Sequence, residues 1–142
     1  MYTPTYKRDE LRITSRSLLV IDDNDDFITL VKLFLELDTD WKIITALDGK
    51  EGITKARLSQ PDLILIDVVM PDLDGIGVYQ ILKSDSATCS IPAILFTAML
   101  GAKKKVQSEV GEDVEVITKP IGIISLKNQI NDLFNRYLSL KV

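Results

Sequence analysis

The chain has 142 residues, with 17 Lys+Arg against 21 Asp+Glu, which gives a net charge of −4 and a pI near 4.8. This length suits one domain, since domains commonly have ~100–200 residues, and the acidic balance argues against nucleic acid as the main partner. The lack of any histidine and the single cysteine, Cys89, exclude a Ser-His-Asp triad, a histidine-ligated metal, an internal disulfide and a zinc site of several thiolates.

Five short apolar runs predict buried strands. In chain order they are SLLVI (17–21), WKIITA (41–46), DLILID (62–67), AILFT (93–97) and VEVIT (114–118). Continuous apolar or β-branched runs of this length are typical of strands that are covered on both faces.

Helical patterns follow each of these strands. The first predicted helix has the buried face Phe27, Leu30, Val31, Phe34 and Leu35, and the second is capped by Asp48 and Glu51 and runs to Leu58. A third helix is predicted at 76–83, and a fourth, rich in lysine, at 103–110 with its end at Gly111. The final helix is marked by Leu126, Ile130, Leu133, Phe134 and Tyr137. Strands that alternate with helices in this way indicate an α/β fold with a parallel sheet covered on both faces.

Residues 1–16 fall outside this pattern and are predicted to form a polar arm, which leaves 17–142 as one domain. The chain shows neither a signal sequence nor the ~20 consecutive apolar residues that a membrane helix needs. Together with the lone thiol, this predicts a soluble cytoplasmic protein without membrane insertion. We expect Cys89 to be buried or half-buried and to have no functional role, and the lysines at 103–105 to form a solvated helix face.

Five polar side chains stand at or just beyond the ends of the predicted strands. They are Asp22, Asp23, Asp67, Thr97 and Lys119. In an open parallel sheet, the functional crevice lies beyond the carboxyl ends of the strands. We therefore expect three carboxylates, a hydroxyl and an ammonium to meet at one edge of the sheet.

Such a cluster has a defined chemistry. Three neighbouring carboxylates repel one another and favour a bound cation. Oxygen ligands without histidine select a hard cation, Mg²⁺ first and Mn²⁺ second. A carboxylate can attack phosphorus to form an acyl phosphate, and this transfer depends mainly on positioning and charge neutralisation.

Each of these residues also has an ordinary structural explanation. The two adjacent aspartates are common helix caps and turn formers, threonine is frequent in strands, and an aspartate or lysine at a strand end often belongs to a solvated loop. What favours function is the occurrence of all five at matched strand ends.

The sequence resembles a response-regulator receiver domain of two-component signalling, of the stand-alone single-domain type. The matching segments are LLVIDDN (18–24), LILIDVVMPDLDG (63–75), FTA (96–98) and TKP (118–120). The resemblance covers residues 17 to about 140, nearly the whole chain. It implies a flavodoxin-like (βα)5 fold, doubly wound, with strand order 2-1-3-4-5.

The resemblance also implies a role for each site residue. Asp67 is the phosphoacceptor. The metal ligands are Asp23 and Asp67 directly, Asp22 mostly through water, and the main-chain carbonyl of Val69. Thr97 and Ala98 contact the phosphoryl group and Lys119 pairs with it. The Lys119–Pro120 bond is a candidate cis peptide, and Met70, Pro71 and Gly75 match the family's turn after the acceptor.

Four positions depart from the family pattern. Val116 replaces the usual aromatic residue three positions before Lys119, which puts threonine–aromatic switching in doubt, and Ile121 replaces the usual Phe. Val69 and Met99, which flank the expected path of the hydrolytic water, are both apolar. Because neither side chain can orient that water, we predict a long-lived acyl phosphate.

These features predict a single-domain response regulator that takes a phosphoryl group from a sensor histidine kinase or a histidine phosphotransfer protein. It would then change its affinity for a downstream protein partner or relay the phosphate. The sequence leaves little room for an output domain after Lys119. The last helix has more apolar residues than one buried stripe needs, which allows a homodimer. The alternative is a phosphorylation-independent adaptor on the same fold. A Mg²⁺-dependent phosphatase is disfavoured because Val69 cannot serve as its acid/base.

Overall fold

The structure, a computed structural model, describes residues 16–99, 101–119 and 122–140. In these residues, five strands and five helices alternate along the chain. The strands are β1 (Arg16–Ile21), β2 (Trp41–Ala46), β3 (Leu63–Asp67), β4 (Ala93–Thr97) and β5 (Glu115–Thr118). The helices are α1 (Asp25–Asp38), α2 (Gly49–Ser59), α3 (Gly75–Ser84), α4 (Ala102–Val110) and α5 (Ile123–Leu140).

The five strands form one parallel sheet in the order β2-β1-β3-β4-β5. Alternate residues of each strand point to opposite faces, so two apolar cores form. Ile21, Ile66 and Leu95 lie in the core that includes residues of α2, α3 and α4. Val20 and Phe96 lie in the core that includes residues of α1 and α5. This confirms the predicted doubly wound α/β fold and its strand order.

Helix α1 buries a different face from the predicted one. Val31 and Leu35 are buried as expected, but Leu30 and Phe34 are each 45% exposed, and Ile28 takes the buried position instead. The prediction was wrong because α1 carries more apolar residues than one buried stripe needs. Helical spacing alone does not decide which of two overlapping apolar stripes meets the sheet.

The predicted capping box of α2 is present with one change of partner. Asp48 Oδ1 accepts a hydrogen bond from the backbone N–H of Glu51 at 2.8 Å. In a standard capping box the glutamate would accept from the cap residue itself. Here Glu51 Oε1 accepts from the N–H of Leu47 at 2.8 Å, so the pair also holds the residue that precedes the cap.

Cys89 is exposed, so the prediction that it is buried or half-buried was wrong. Its neighbour Thr88 is buried instead, and the Thr88 hydroxyl donates to the carbonyl oxygen of Leu82 at 2.7 Å. The sequence alone does not decide which of two adjacent small side chains, Thr88 or Cys89, is buried in this loop. The lysines at 103–105 are all exposed, as expected.

Several predictions fall on residues outside the described ones. The predicted arm at 1–16 lies outside them except for Arg16, the first residue of β1, and the Lys119–Pro120 peptide and Ile121 also lie outside. Val116 in β5 is half-buried and packs against the core that includes α2, α3 and α4. In the part of the chain that the structure covers, every helix is too short or too polar to cross a membrane.

Candidate functional site

Three carboxylates meet beyond the carboxyl ends of β1 and β3. Asp22 and Asp23 directly follow β1, and Asp67 is the last residue of β3. One carboxylate oxygen of each residue lies within 4.8 Å of the other two. Asp22 and Asp67 are buried, whereas Asp23 is exposed. Two of the three charges therefore face each other with little water to screen them.

The backbone around Asp22 explains why its side chain stays at this edge of the sheet. The N–H of Asp22 donates to the carbonyl oxygen of Ala46 at 3.0 Å and so extends the pairing of β1 with β2. Its Oδ1 accepts from the N–H of Asn24 at 2.9 Å. Asn24 is also the N-cap of α1, and its Oδ1 accepts from the N–H of Phe27 at 3.1 Å. The turn into α1 thus fixes the acidic pair.

Lys119 supplies the positive charge at this cluster. Its Nζ lies 3.0 Å from Oδ2 of Asp22 and 3.8 Å from Oδ1 of Asp67. Its backbone N–H donates to the carbonyl oxygen of Thr97 at 2.7 Å, which anchors the residue beyond the ends of β4 and β5. Its ammonium also lies over two aromatic rings, 4.6 Å from the centroid of Phe27 and 4.8 Å from that of Phe96.

The environment of Asp67 raises the pKa of its carboxyl group to about 6. Burial is the main cause, and the nearby charge of Asp22 adds to it. The ammonium of Lys119 and the N–H of Val69, which lies 3.4 Å from Oδ1, act in the opposite direction. An additional cation close to this carboxylate would stabilise its ionised form, because a positive charge favours the negatively charged state.

A tight turn after β3 brings the start of α3 against the end of that strand. The N–H of Gly75 donates to the carbonyl oxygen of Val68 at 2.8 Å. A Cβ atom on Gly75 would overlap the carbonyl oxygen of Asp67 and lie 2.7 Å from the Cα of Val68. Asp74 caps α3 by accepting from the N–H of Gly77 at 2.9 Å. Only glycine at position 75 permits this close approach.

The remaining predicted site residues lie along the same edge. Thr97 ends β4 and is fully buried, and its Oγ1 accepts from the N–H of Met99 at 3.1 Å. Ala98 is exposed just beyond it, and Met99 is half-buried. Val69 follows β3 and is 58% exposed. In the pairing of β3 with β4, Phe96 lies opposite Asp67, so the next residue, Thr97, lies just beyond the end of β3.

This donor set suits a hard divalent cation. Three carboxylates within 4.8 Å of one another supply oxygen ligands of the kind that Mg²⁺ prefers, and Mg²⁺ commonly uses one or two carboxylates and keeps several waters. The exposed Asp23 leaves one side of the cluster open to solvent, so ligand waters and an incoming group can enter.

Two aromatic residues of the site were not identified from the sequence. Phe27 appeared only as a member of the predicted buried face of α1, and Phe96 only as a strand residue. Their rings lie 5.3 Å apart, centroid to centroid, inclined at 36° to each other. The adjacency of Phe96 to Thr97 was the available signal, but the position of Phe27 depends on how α1 turns against the sheet.

Comparison with known proteins assigns the chain to a family. Residues 18–131 match the family described as the response regulator receiver domain. Response regulator PleD of Caulobacter vibrioides is 34% identical over 119 residues, which cover 84% of this chain and 26% of PleD. The alkaline phosphatase synthesis transcriptional regulatory protein PhoP of Bacillus subtilis is 33% identical over 123 residues, which cover 86% of this chain and 50% of PhoP. The chain thus spans about a quarter to a half of the length of these curated relatives.

Solved structures agree with this assignment. The receiver domain of a Francisella response regulator superposes with a TM-score of 0.73 at 30% identity, covering 85% of this chain and 98% of that one. The chemotaxis protein CheY4 of Vibrio cholerae also gives a TM-score of 0.73, at 24% identity, covering 82% of this chain and 97% of that one; at this identity it supports the fold alone. Receiver domains bind Mg²⁺ at an acidic pocket, and Asp22, Asp23 and Asp67 form such a cluster here. The chain belongs to the response regulator receiver domain family, whose members are phosphoacceptor signalling modules of two-component systems.

Proposed function

We propose that this chain accepts a phosphoryl group on Asp67 in the presence of Mg²⁺. The observation that carries the proposal is the buried carboxylate of Asp67 at the end of β3, with the carboxylates of Asp22 and Asp23 within 4.8 Å and the ammonium of Lys119 at 3.8 Å. This arrangement combines a nucleophile, ligands for a cation and a fixed positive charge at one edge of the sheet.

The proposed step transfers a phosphoryl group from a phosphohistidine of a sensor kinase or phosphotransfer protein. A carboxylate oxygen of Asp67 donates an electron pair to phosphorus and forms an O–P bond. The P–N bond breaks, its electron pair stays on the imidazole nitrogen, and that nitrogen takes up a proton from water. No group on this chain needs to act as a base, because the carboxylate attacks in its ionised form.

In this proposal the other site residues neutralise and orient the incoming group. Bound Mg²⁺ supplies charge neutralisation for the phosphoryl oxygens. Asp23, Asp67 and the carbonyl of Val69 would be the direct ligands. Asp22 would contribute through water, which fits its existing contacts with the N–H of Asn24 and with Lys119.

The phosphoryl oxygens would meet donors from two further strands. Thr97 ends β4 and Ala98 follows it at the exposed edge, where its N–H can meet a phosphoryl oxygen. Lys119 follows β5, and its ammonium lies 3.8 Å from Oδ1 of Asp67. Because these donors are held at the ends of strands, they need to move little when negative charge develops on the phosphoryl oxygens.

The output is proposed to be a changed affinity for a protein partner or onward relay of the phosphate, in a cytoplasmic receiver domain. Val116, where the family usually has an aromatic residue, is the observation that favours the alternative of a phosphorylation-independent adaptor. The two functions differ in a measurable way: an adaptor binds its partner equally well with and without phosphate on the chain.

Intact-mass analysis after incubation with acetyl phosphate tests the proposal. We expect the wild-type chain to gain the mass of one phosphoryl group when Mg²⁺ is present and none when it is chelated. Asp67→Asn keeps the size of the side chain but lacks the nucleophilic oxygen pair, so it should gain none. Circular dichroism of the variant controls for folding. Uptake by Asp67→Asn equal to that of the wild type would refute Asp67 as the acceptor.

The acyl phosphate is expected to be long-lived because the side chain of Val69 offers no polar atom to the hydrolytic water. Val69 is 58% exposed, so a polar side chain at this position would reach the solvent side of the site. Val69→Asn should shorten the phosphoprotein lifetime several-fold, and Val69→Leu should leave it unchanged. The decay of the added mass with time measures both. A wild-type half-life of seconds to a minute contradicts the expectation.

A further inference from the structure

The ammonium of Lys119 lies between two carboxylates and two aromatic rings. On one side, Asp22 Oδ2 is 3.0 Å away and Asp67 Oδ1 is 3.8 Å away. On the other, the ring centroids of Phe27 and Phe96 are 4.6 and 4.8 Å away. Both ring distances are within the ~6 Å at which the negative face of an aromatic ring attracts a cation.

The rings shield part of this ammonium from water. The side chain of Lys119 is only 21% exposed, and an ammonium that has lost much of its contact with water needs other partners. Two anionic oxygens and two ring faces supply them. The attraction of a cation to a ring is stronger when water is excluded, so this environment strengthens the contacts that it contains.

The two rings come from different elements that are independently fixed. Phe96 is 1% exposed in β4 and pairs in register with Asp67. Phe27 lies in the first turn of α1, and its N–H is held by the N-cap Asn24. The ring contact between them, with centroids 5.3 Å apart, joins the helix to the sheet. The position of the ammonium therefore depends on packing that is settled before any phosphoryl group arrives.

We propose that Phe27 and Phe96 form an aromatic clamp, which positions the ammonium of Lys119 for phosphoryl uptake at Asp67. The inference rests on the proposed function and adds two positioning residues to it. The rings make no bond to the phosphoryl group. They hold the ammonium within 3.8 Å of Asp67 Oδ1, where negative charge will develop, so that Lys119 needs little reorganisation when the phosphoryl group is transferred.

Leucine and tyrosine at position 27 separate ring chemistry from packing. Phe27→Leu keeps an apolar side chain of similar size but removes the π face, whereas Phe27→Tyr retains it on a residue that is already half-buried. Phe96→Leu tests the second ring. Phe34→Leu is the matched control, since Phe34 is a phenylalanine of the same helix that is 45% exposed and outside the clamp.

The rate of phosphoryl uptake from acetyl phosphate, followed by intact mass at saturating Mg²⁺, is the first readout. We expect Phe27→Leu and Phe96→Leu to lower it roughly three- to tenfold, from the usual strength of a cation–ring contact. Phe27→Tyr and Phe34→Leu should keep the wild-type rate. Mg²⁺ affinity, measured by calorimetry, should not fall in any variant because the three carboxylates are unchanged; a general collapse of the site would lower both quantities.

The NMR signal of the Lys119 Hε protons is the second readout, and it needs no phosphorylation. Rings facing the ammonium should shift this signal upfield, and each leucine variant should remove part of the shift; Lys119→Arg assigns the signal. Wild-type uptake rates in both leucine variants would overturn the positioning role, as would a Phe27→Tyr rate as low as that of Phe27→Leu. No uptake by the wild type would instead overturn the proposed function, while the Lys119 signal still decides whether the rings hold the ammonium.

Discussion

Replacing Gly75 with alanine is expected to destabilise the protein by about 3 kcal/mol or more, toward the upper end of the effects of single substitutions. The added Cβ would overlap the carbonyl oxygen of Asp67 and lie 2.7 Å from the Cα of Val68. These are backbone atoms of the segment that leaves the central strand β3, so neither can turn aside. Alanine's better helix propensity offsets at most about 1 kcal/mol of this cost.

Gly77→Ala is the matched control, since Gly77 lies in the same first turn of α3. Its added Cβ would lie 2.7 Å from Cδ1 of Leu73, the end of a side chain that can change rotamer. Urea unfolding followed by the fluorescence of Trp41, the only tryptophan in the sequence, measures both variants. A free energy of unfolding of Gly75→Ala equal to that of Gly77→Ala would show that the turn after Asp67 does not require glycine.

Replacing Lys119 with methionine is expected to slow phosphoryl uptake by about 10²-fold, the usual effect of removing one fixed donor from a developing anion. Methionine is unbranched and of similar length, but it carries no charge to meet the phosphoryl oxygens. Mg²⁺ affinity should not fall, because the substitution removes a cation that lies 3.0 Å from Asp22 and 3.8 Å from Asp67 and competes with the metal for the carboxylates.

Lys104→Met, at an exposed lysine of α4, controls for the loss of one positive charge from the chain. Uptake rates from acetyl phosphate are compared by intact mass at saturating Mg²⁺, and calorimetry with MgCl₂ gives the affinities. If Lys119→Met takes up phosphoryl groups as fast as Lys104→Met, Lys119 has no part in the transfer.

The positions of the acidic site residues follow directly from the sequence, because the carboxyl ends of parallel strands meet at one edge. Asp22 follows the first apolar run and Asp67 ends the third, so assigning the runs to parallel strands brings the two aspartates together. The same argument places Thr97 and Lys119. The strand pattern is strongest in β3, whose five residues are all buried and which reads as an apolar run until it ends in Asp67.

What the sequence did not predict depends on how surfaces meet in three dimensions. Leu30 and Phe34 were expected in the core, but α1 turns Ile28 inward instead. That same rotation places Phe27 against Phe96 and over Lys119. The pattern of a single sequence does not determine how a helix with two overlapping apolar stripes is rotated against the sheet. The contacts of Phe27 with Phe96 and Lys119 could therefore be identified only in the folded chain.

The measurement that tests the central claim most directly is chemical mapping of the phosphoryl group. After incubation with acetyl phosphate and Mg²⁺, borohydride reduces an aspartyl phosphate to homoserine, and tandem mass spectrometry locates it in the tryptic peptide that spans 58–83. We predict homoserine at position 67 alone, and none when Mg²⁺ is chelated. Homoserine at another aspartate, or its absence from a chain that has gained the phosphoryl mass, would contradict the assignment of Asp67 as the phosphoacceptor.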